Sequence, residues 1–324
     1  MDKNIKTSMI KFTILTEPIP ENISQLFKKY IYKIKLFLAT GQLKKYTGHF
    51  AVTRSLIEGL KKTKSDFNYN PNNIRTVRDT VIVLSRIPAL KQAIELKKQG
   101  KIKKLLAGPN LVISSKDENN ILSSPKIDMI IVPSKWIKIA YEEDAPKLKG
   151  KIKIWSAGID ENYWKPHNKK RKKNIIIYQK NTSDKLLDET IKIVKKHNFN
   201  LTIIKYGQYK KQQFKEALGN ASLEIVLSQS ESQGISLQEA WSMDVPCFCY
   251  QPNKLIIKNR SYSIFSSCPY ISKETGYKWN NINELEILLA NFKKNKLHFS
   301  PRKYVLKELT DEKSARLFLK ILNE

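Results

Sequence analysis

Residues 228–246 read SQSESQGISLQEAWSMDVP. Residues 223–227 before it are largely apolar and suit a β-strand, residues 228–234 are polar and turn-prone, and residues 235–243 have helical spacing. The stretch therefore predicts a strand, a glycine turn and a helix in succession. A helix that opens at a glycine turn presents unpaired N–H groups and the positive end of its dipole, which suits a diphosphate.

Two carboxylates flank the predicted helix start. Glu231 lies in the loop, and Glu239 lies one turn into the helix, where it is placed to accept hydrogen bonds from two ribose hydroxyls. Glu231 is expected nearer a donor sugar, so the arrangement suits a nucleotide diphosphate-sugar. An ordinary strand–loop–helix with solvated glutamates is the alternative.

The combination of Glu231, Gly234, Glu239, Ala240 and Val245-Pro246 resembles the signature of nucleotide-sugar glycosyltransferases with the GT-B fold, family 4 in particular. The resemblance implies an α/β fold of two Rossmann-like doubly wound domains facing a cleft. It also implies a retaining transfer without a bound metal, and the chain contains no Asp-x-Asp motif of the metal-dependent glycosyltransferases.

Residues 157–166 read AGIDENYWKP and resemble the linker between the two halves of GT-B enzymes, with Trp164 where the family usually has Phe. The boundary placed there gives an N-terminal Rossmann-like acceptor domain (1–163) and a C-terminal Rossmann-like donor domain (164–324). The resemblance implies that a terminal helix predicted at 313–322 packs back on the first domain.

Alternation of strands and helices carries the fold prediction, and it is more regular in the second half of the chain than in the first. The first half has predicted strands at 10–15, 80–84, 104–110, 126–133 and 151–155, and a turn-rich loop at 66–71. The second half alternates predicted strands and helices at 174–178, 185–196, 200–206, 211–218 and 223–227. Such alternation predicts a parallel sheet with right-handed crossovers, whose ligands bind beyond the carboxyl ends of the strands.

Lys180 and Lys185 follow the first strand of the second half. A leaving nucleotide diphosphate gains negative charge as the glycosidic bond breaks, and fixed cations lower that cost. Related glycosyltransferases carry Arg and Lys at this spacing, so the resemblance implies that this pair clamps the diphosphate, with a point charge at Lys180 instead of a bidentate fork. Two solvated surface lysines are the alternative.

Further donor contacts are expected at the same edge of the sheet. Tyr206-Gly207 is expected to border the nucleotide base pocket, with an ordinary turn as the alternative. The hydroxyls of Ser228 and Ser230 are expected to donate to phosphate or sugar. The helix start holds the diphosphate through its backbone, at Gly234, Ile235, Ser236 and Leu237.

Two residues are predicted to act at the reacting carbon. The resemblance implies that Glu231 contacts the sugar hydroxyls there, and an oxocarbenium-like transition state is expected on chemical grounds. His49, the only histidine of the first half, stands in a glycine-bearing loop and is expected to contact donor or acceptor. No metal and no cofactor are predicted besides the UDP- or GDP-sugar substrate.

The formal net charge of +29 at pH 7 is spread over both halves of the chain. Three explanations stay open: solvated lysines from compositional bias, attraction to an anionic membrane, and attraction to nucleic acid phosphates. The basic and apolar stretch at 25–38 is predicted to be a helix, which either packs on the first sheet or lies on a membrane surface. No helix–turn–helix, zinc-finger or RNA-binding aromatic motif supports nucleic acid as a partner.

Cysteine usage and the lack of long apolar runs bear on location. Cys247 and Cys249 alternate on a predicted strand, which favours reduced core thiols over metal ligands. The first residues lack the apolar core of a secretory signal. A cytoplasmic location is expected, with a peripheral position at the inner membrane face as a further expectation.

The leading hypothesis is transfer of a sugar to a saccharide or lipid-linked acceptor, with cell-surface polysaccharide assembly as its setting. The glycan or glycolipid acceptor and the nucleotide-sugar are then the partners. Two alternatives stay open: a nucleotide-sugar epimerase or hydrolase on the same fold, and a basic nucleic-acid-binding protein.

Overall fold

The structure is a computed structural model that describes residues 10–40, 48–166, 174–257 and 259–324. It divides into two compact units. The first holds the chain up to Pro133, Lys138–Trp155 and Ala315–Glu324, and the second holds Ser134–Ile137 and Ser156–Ser314. The main division therefore falls at residues 155/156, eight residues before the boundary predicted from the linker. The acceptor and donor roles of the two units stay predictions.

The first unit is built on a six-stranded parallel sheet with the order β2-β1-β3-β4-β5-β6. Its strands are β1 (Phe12–Leu15), β2 (Phe67–Tyr69), β3 (Thr80–Ser85), β4 (Lys104–Asn110), β5 (Met129–Val132) and β6 (Ile152–Ile154). Its helices are α1 (Ile23–Thr40), α2 (Gly48–Lys62), α3 (Ile87–Lys98) and α5 (Lys135–Asp144), which begins in the second unit, and α4 (Asp117–Asn120) is a short turn with left-handed backbone at residues 118–120. Residues 81–84 of β3 are fully buried, as expected of a parallel strand covered on both faces.

The loop predicted at 66–71 contains the edge strand β2, which is a correction to the sequence analysis. Phe67 stacks on Phe12 of β1, with ring centroids 6.1 Å apart. The three residues of β2 are too few to show a periodic pattern, so this aromatic pair, rather than local sequence, places the strand.

The second unit has a five-stranded parallel sheet with the order β13-β10-β9-β7-β8. These strands are β7 (Asn174–Lys180), β8 (Asn200–Lys205), β9 (Leu223–Ser228), β10 (Cys247–Tyr250) and β13 (Gly276–Trp279), with a separate antiparallel pair, β11 (Leu255–Ile257) and β12 (Arg260–Tyr262). The helices are α6 (Asp184–Lys196), α7 (Lys211–Asn220), α8 (Ile235–Ser242), α9 (Ile282–Lys293), α10 (Pro301–Glu308) and α11 (Asp311–Asn323). The end of α11 groups with the first unit.

Two apolar cores cover the two faces of the second sheet. One is built around Trp164, Phe214 and Trp241, and the other around Phe248 and Trp279. The cysteines of β10, together with Cys268, are buried in the core and form no disulfide within the described residues.

Strand β13 was not predicted, and its first residue shows what the sheet demands there. Gly276 has φ 148°, and a Cβ at this position would lie 1.8 Å from the carbonyl oxygen of Cys247 in β10. Only glycine allows the two backbones to approach this closely. None of the helices in the described ranges is long and apolar enough to cross a membrane.

Candidate functional site

The candidate site lies where the strand order of the second sheet reverses. When the five strands are numbered in chain order, they lie side by side as 2-1-3-4-5. The chain therefore continues toward one edge of the sheet after β7 and toward the other edge after β9. Lys180, the last residue of β7, pairs in register with Ser228, the last residue of β9. Open α/β sheets bind ligands in the crevice outside such a switch point.

Helix α8 begins at this edge immediately after Gly234. Gly234 adopts a left-handed conformation with φ 83° and ψ 56°, and a Cβ there would lie 2.7 Å from Cδ1 of Leu237. Glycine therefore sets the turn that starts the helix. The first amides, at Ile235, Ser236 and Leu237, have no intrahelical acceptor because they precede the first complete helical turn.

Glu231 is held by four contacts. Its Oε2 accepts a hydrogen bond from Lys180 Nζ at 2.8 Å, and its Oε1 accepts one from Ser228 Oγ at 2.9 Å. Its backbone N–H donates to the carbonyl of Ser266 at 2.9 Å, and its own carbonyl accepts from Trp136 Nε1 at 2.8 Å. The side chain is 9% exposed, so the carboxylate is surrounded by these partners and largely shielded from solvent.

Lys180 also contacts Tyr206. Its Nζ lies 4.8 Å from the centroid of the Tyr206 ring, and the Tyr206 N–H donates to the carbonyl of Gln179 at 2.9 Å. Tyr206 is 55% exposed, and Gly207 after it has φ 78° with open space around its Cα. The structure thus brings Tyr206-Gly207 to the side of Lys180 and leaves a ring face open to a ligand.

Lys185 is placed differently from Lys180. It is exposed on the first turn of α6, whose N-cap is Ser183. In the described part of the chain it forms no hydrogen bond or ion pair. The predicted lysine pair is therefore divided into a bound cation at the switch point and a solvated cation at a neighbouring helix start.

Ser228 and Ser230 lie in the loop that leads to Glu231. Ser228 is fully buried, and its single hydroxyl proton goes to Glu231 in the arrangement above. Its predicted bond to phosphate or sugar requires that contact to break. Ser230 is half-buried, and its carbonyl lies 3.2 Å from Ser228 Oγ.

Asn181, which was not predicted from the sequence, joins the two loops at the switch point. Its Oδ1 accepts from the backbone N–H of Gln229 at 3.1 Å, and its φ is 49°. Asn directly after a strand is a common signal for a left-handed turn, so sequence could have indicated it.

Gln233 was also missed, and it ties the loop before α8 to the linker. Its Oε1 accepts from the N–H of Ala157 at 3.0 Å, and its Nε2 donates to the carbonyl of Ala157 at 2.8 Å and to Gln238 Oε1 at 2.9 Å. The side chain is buried. The linker segment and the loop that carries Glu231 are therefore fixed to each other.

Glu239 lies on α8 with 4% exposure, among aromatic side chains. Burial raises the pKa of Tyr163, and the negative charge of Glu239 raises it further. The pKa of Tyr209 is raised mainly by burial, with a contribution from the same carboxylate. Glu239 is thus one turn into the helix, as predicted, and it is buried near Tyr163 and Tyr209 instead of being solvated.

A second buried carboxylate, Glu224, lies inside the same sheet. It is part of β9, and its Oε2 accepts from Cys247 Sγ at 3.3 Å. Burial raises the pKa of Glu224 to about 8. This carboxyl is therefore largely protonated at neutral pH.

His49 belongs to the first unit, at the second residue of α2. Its backbone carbonyl accepts from Thr53 Oγ1 at 3.2 Å. The side chain reaches solvent, yet neighbouring atoms desolvate the ring and lower its pKa. Its predicted contact with donor or acceptor stays a prediction.

No protein-family model matches the chain, and no curated protein matches it. Solved structures do. HepE from Anabaena, in complex with UDP and glucose, has a TM-score of 0.58 at 10% identity over 97% of this chain and 99% of HepE. WaaB, a lipopolysaccharide outer core galactosyltransferase, has a TM-score of 0.55 at 11% identity with the same coverage. TarM has a TM-score of 0.55 at 15% identity over 76% of this chain, which spans 56% of the length of TarM.

These structures confirm the predicted fold class: the chain has the GT-B fold, with two Rossmann-like α/β units. Identities of 10–15% show the fold alone. The activity has to be argued from the site.

Proposed function

We propose that this protein is a glycosyltransferase that moves a sugar from a UDP- or GDP-sugar to a saccharide or lipid-linked acceptor. The observation that carries the proposal is the 2.8 Å contact between Lys180 and Glu231 at the switch point, next to the loop that opens α8. A cation, a held carboxylate and a free helix N-terminus at one sheet edge are what a nucleotide diphosphate-sugar needs.

The diphosphate is assigned to the start of α8. Its first amides and its dipole offer positive potential without a metal ion, and Lys180 adds a full charge beside them. Lys185, solvated at the start of α6, supplies a second cation at the same edge of the sheet. As the bond between sugar and diphosphate breaks, these groups stabilise the charge that develops on the leaving group.

The sugar is assigned to Glu231. In the free protein Ser228 and Lys180 hold its two oxygens, so the carboxylate already has a fixed direction before the donor binds. A negative charge held there accepts hydrogen bonds from sugar hydroxyls and stabilises an oxocarbenium-like transition state. Glu239 takes the ribose hydroxyls, His49 contacts the donor or acceptor, and the transfer proceeds with retention and without metal.

The test is nucleotide-sugar binding, measured by thermal shift over UDP- and GDP-sugars and then by calorimetry. Glu239→Ala is expected to lose binding while its melting curve without ligand stays cooperative. Lys185→Gln is expected to weaken binding about fivefold or more, whereas Lys192→Gln, on the same face of α6 two turns further along, leaves it unchanged. If none of the UDP- or GDP-sugars binds, the assigned site is wrong.

Product analysis distinguishes transfer from the other reactions at such a site. Sugar that appears on an added acceptor with the anomeric configuration of the donor supports retaining transfer. Free sugar or an epimerised donor, formed equally with and without acceptor, indicates a hydrolase or an epimerase. Full activity after exhaustive chelation supports metal independence, and its loss contradicts it.

A further inference from the structure

Helix α1 carries an apolar stripe that faces solvent. The exposed fractions are 83% for Ile23, 66% for Phe27, 47% for Tyr30, 40% for Ile31 and 58% for Ile34. At 3.6 residues per turn these five positions fall within an arc of about 100°. A helix on the surface of a globular unit normally turns such a stripe toward the core, whereas α1 turns it toward solvent.

The helix is attached to the first unit by polar contacts of Lys29, on its inner side, and of Tyr30, at the edge of the stripe. Lys29 Nζ lies 2.8 Å from Glu17 Oε1 and 3.0 Å from Asn72 Oδ1. Asn72 Nδ2 donates to the hydroxyl of Tyr30 at 3.0 Å. Lys29 and Leu26 are half-buried, whereas the stripe is left outside. These contacts fix which face of α1 points outward.

The charges of α1 have one sign. Its 18 residues include no Asp or Glu, and they include four lysines, at 28, 29, 33 and 35. Lys28 and Lys35 are exposed, and on a helical projection both lie just beyond one edge of the apolar stripe. Apolar side chains bordered by lysines suit the boundary between acyl chains and anionic headgroups.

We propose that α1 docks the protein on the surface of an anionic lipid bilayer, with the stripe inserted among the headgroups and the lysines on the phosphates. Charge selects this occupant over two others. A second copy of the chain also has a net charge of +29, which opposes association of two copies, and nucleic acid offers phosphates but no apolar phase for the stripe. The proposal does not depend on the activity assigned to the second unit.

The test is co-sedimentation of the full chain, without any donor, with vesicles of phosphatidylcholine alone or mixed with phosphatidylglycerol. We expect binding to the mixed vesicles only. Phe27→Ser/Ile34→Ser is expected to lower the partition coefficient at least tenfold, because two apolar anchors are lost. The matched control is Ile256→Ser/Ile287→Ser, which removes two apolar side chains of 60% and 61% exposure from the second unit and leaves binding unchanged.

A second variant tests charge without touching the stripe. Lys28→Gln/Lys35→Gln is expected to lower binding to the mixed vesicles about fivefold per lysine and to weaken the salt dependence. Three results would overturn the proposal: no binding of the wild type to mixed vesicles, equal binding of the stripe variant and the wild type, or a wild-type dimer that the stripe variant converts to a monomer.

Discussion

Replacing Glu231 with Gln should separate nucleotide binding from sugar transfer. Glutamine keeps the size of the side chain and can still accept from Ser228, but it removes the negative charge 2.8 Å from Lys180 Nζ. In the free protein this negative charge is paired with Lys180, the cation that we assign to the diphosphate. We therefore expect UDP to bind more tightly to the variant, although transfer falls.

The contact distance sets the size of the effect. Two unit charges 2.8 Å apart attract by about 1.5 kcal/mol in the dielectric of water, and by more where water is excluded. Because Lys180 keeps 26% of its side chain in solvent, we take a net release of about 1–2 kcal/mol. That corresponds to a gain of roughly five- to thirtyfold in UDP affinity.

The assay is calorimetric titration with UDP, paired with transfer kinetics at saturating donor. Glu231→Gln should combine stronger UDP binding with a loss of about 100-fold or more in kcat, since a charge that acts in the transition state is gone. Glu216→Gln, which removes an exposed carboxylate from α7, is the control and should change neither value. Weaker UDP binding by Glu231→Gln would refute the reasoning, because Glu231 would then hold the nucleotide itself.

Three stability predictions follow from the buried groups of the second unit. Burial raises the pKa of Glu224 from 4.5 to about 8, so its contribution to the free energy of unfolding is fully present below about pH 4.5 and is lost as the pH rises toward 8. In urea titrations Glu224→Gln should therefore be about 2–4 kcal/mol more stable than the wild type at pH 8 and about equally stable at pH 4.5. Gln233→Ala should cost about 2–3 kcal/mol in the same measurement, because buried backbone groups lose their partner, whereas the exposed Gln229→Ala should cost less than about 0.5 kcal/mol. Gly234→Ala should cost about 1–2 kcal/mol and weaken UDP binding, because a Cβ at φ 83° meets Leu237; an unchanged urea midpoint would contradict this reading of the turn.

Local sequence was sufficient for the elements that surround the site. The helix predicted at 235–243 is α8 at Ile235–Ser242, and the strand predicted at 223–227 is β9 at Leu223–Ser228. Both could be predicted because their apolar spacing and their bounding glycine act within a few residues. The alternation of strands and helices predicted a parallel sheet with its ligands beyond the carboxyl ends of the strands, whereas the order of the strands and the position of the switch point are known only from the structure.

The contacts that hold Glu231 could not be predicted in this way. Trp136 is 95 residues away from it in the chain, and Lys180 is 51 residues away. Neither spacing leaves a local pattern, because the fold alone brings these segments together. The outward stripe of α1 is similar: the sequence indicated an amphipathic helix, and only the contacts of Lys29 determine which face is exposed.

The pairing of Lys180 with Glu231 makes one more quantity predictable: the difference in affinity between UDP and an intact UDP-sugar. UDP alone draws Lys180 away and leaves a largely buried carboxylate without compensation. An intact donor brings sugar hydroxyls that donate to the same carboxylate, so the wild type should bind it more tightly than UDP. In Glu231→Gln the carboxylate charge is absent, and the ratio of the two Kd values should fall toward one. The same ratio in wild type and variant would mean that Glu231 does not contact the sugar.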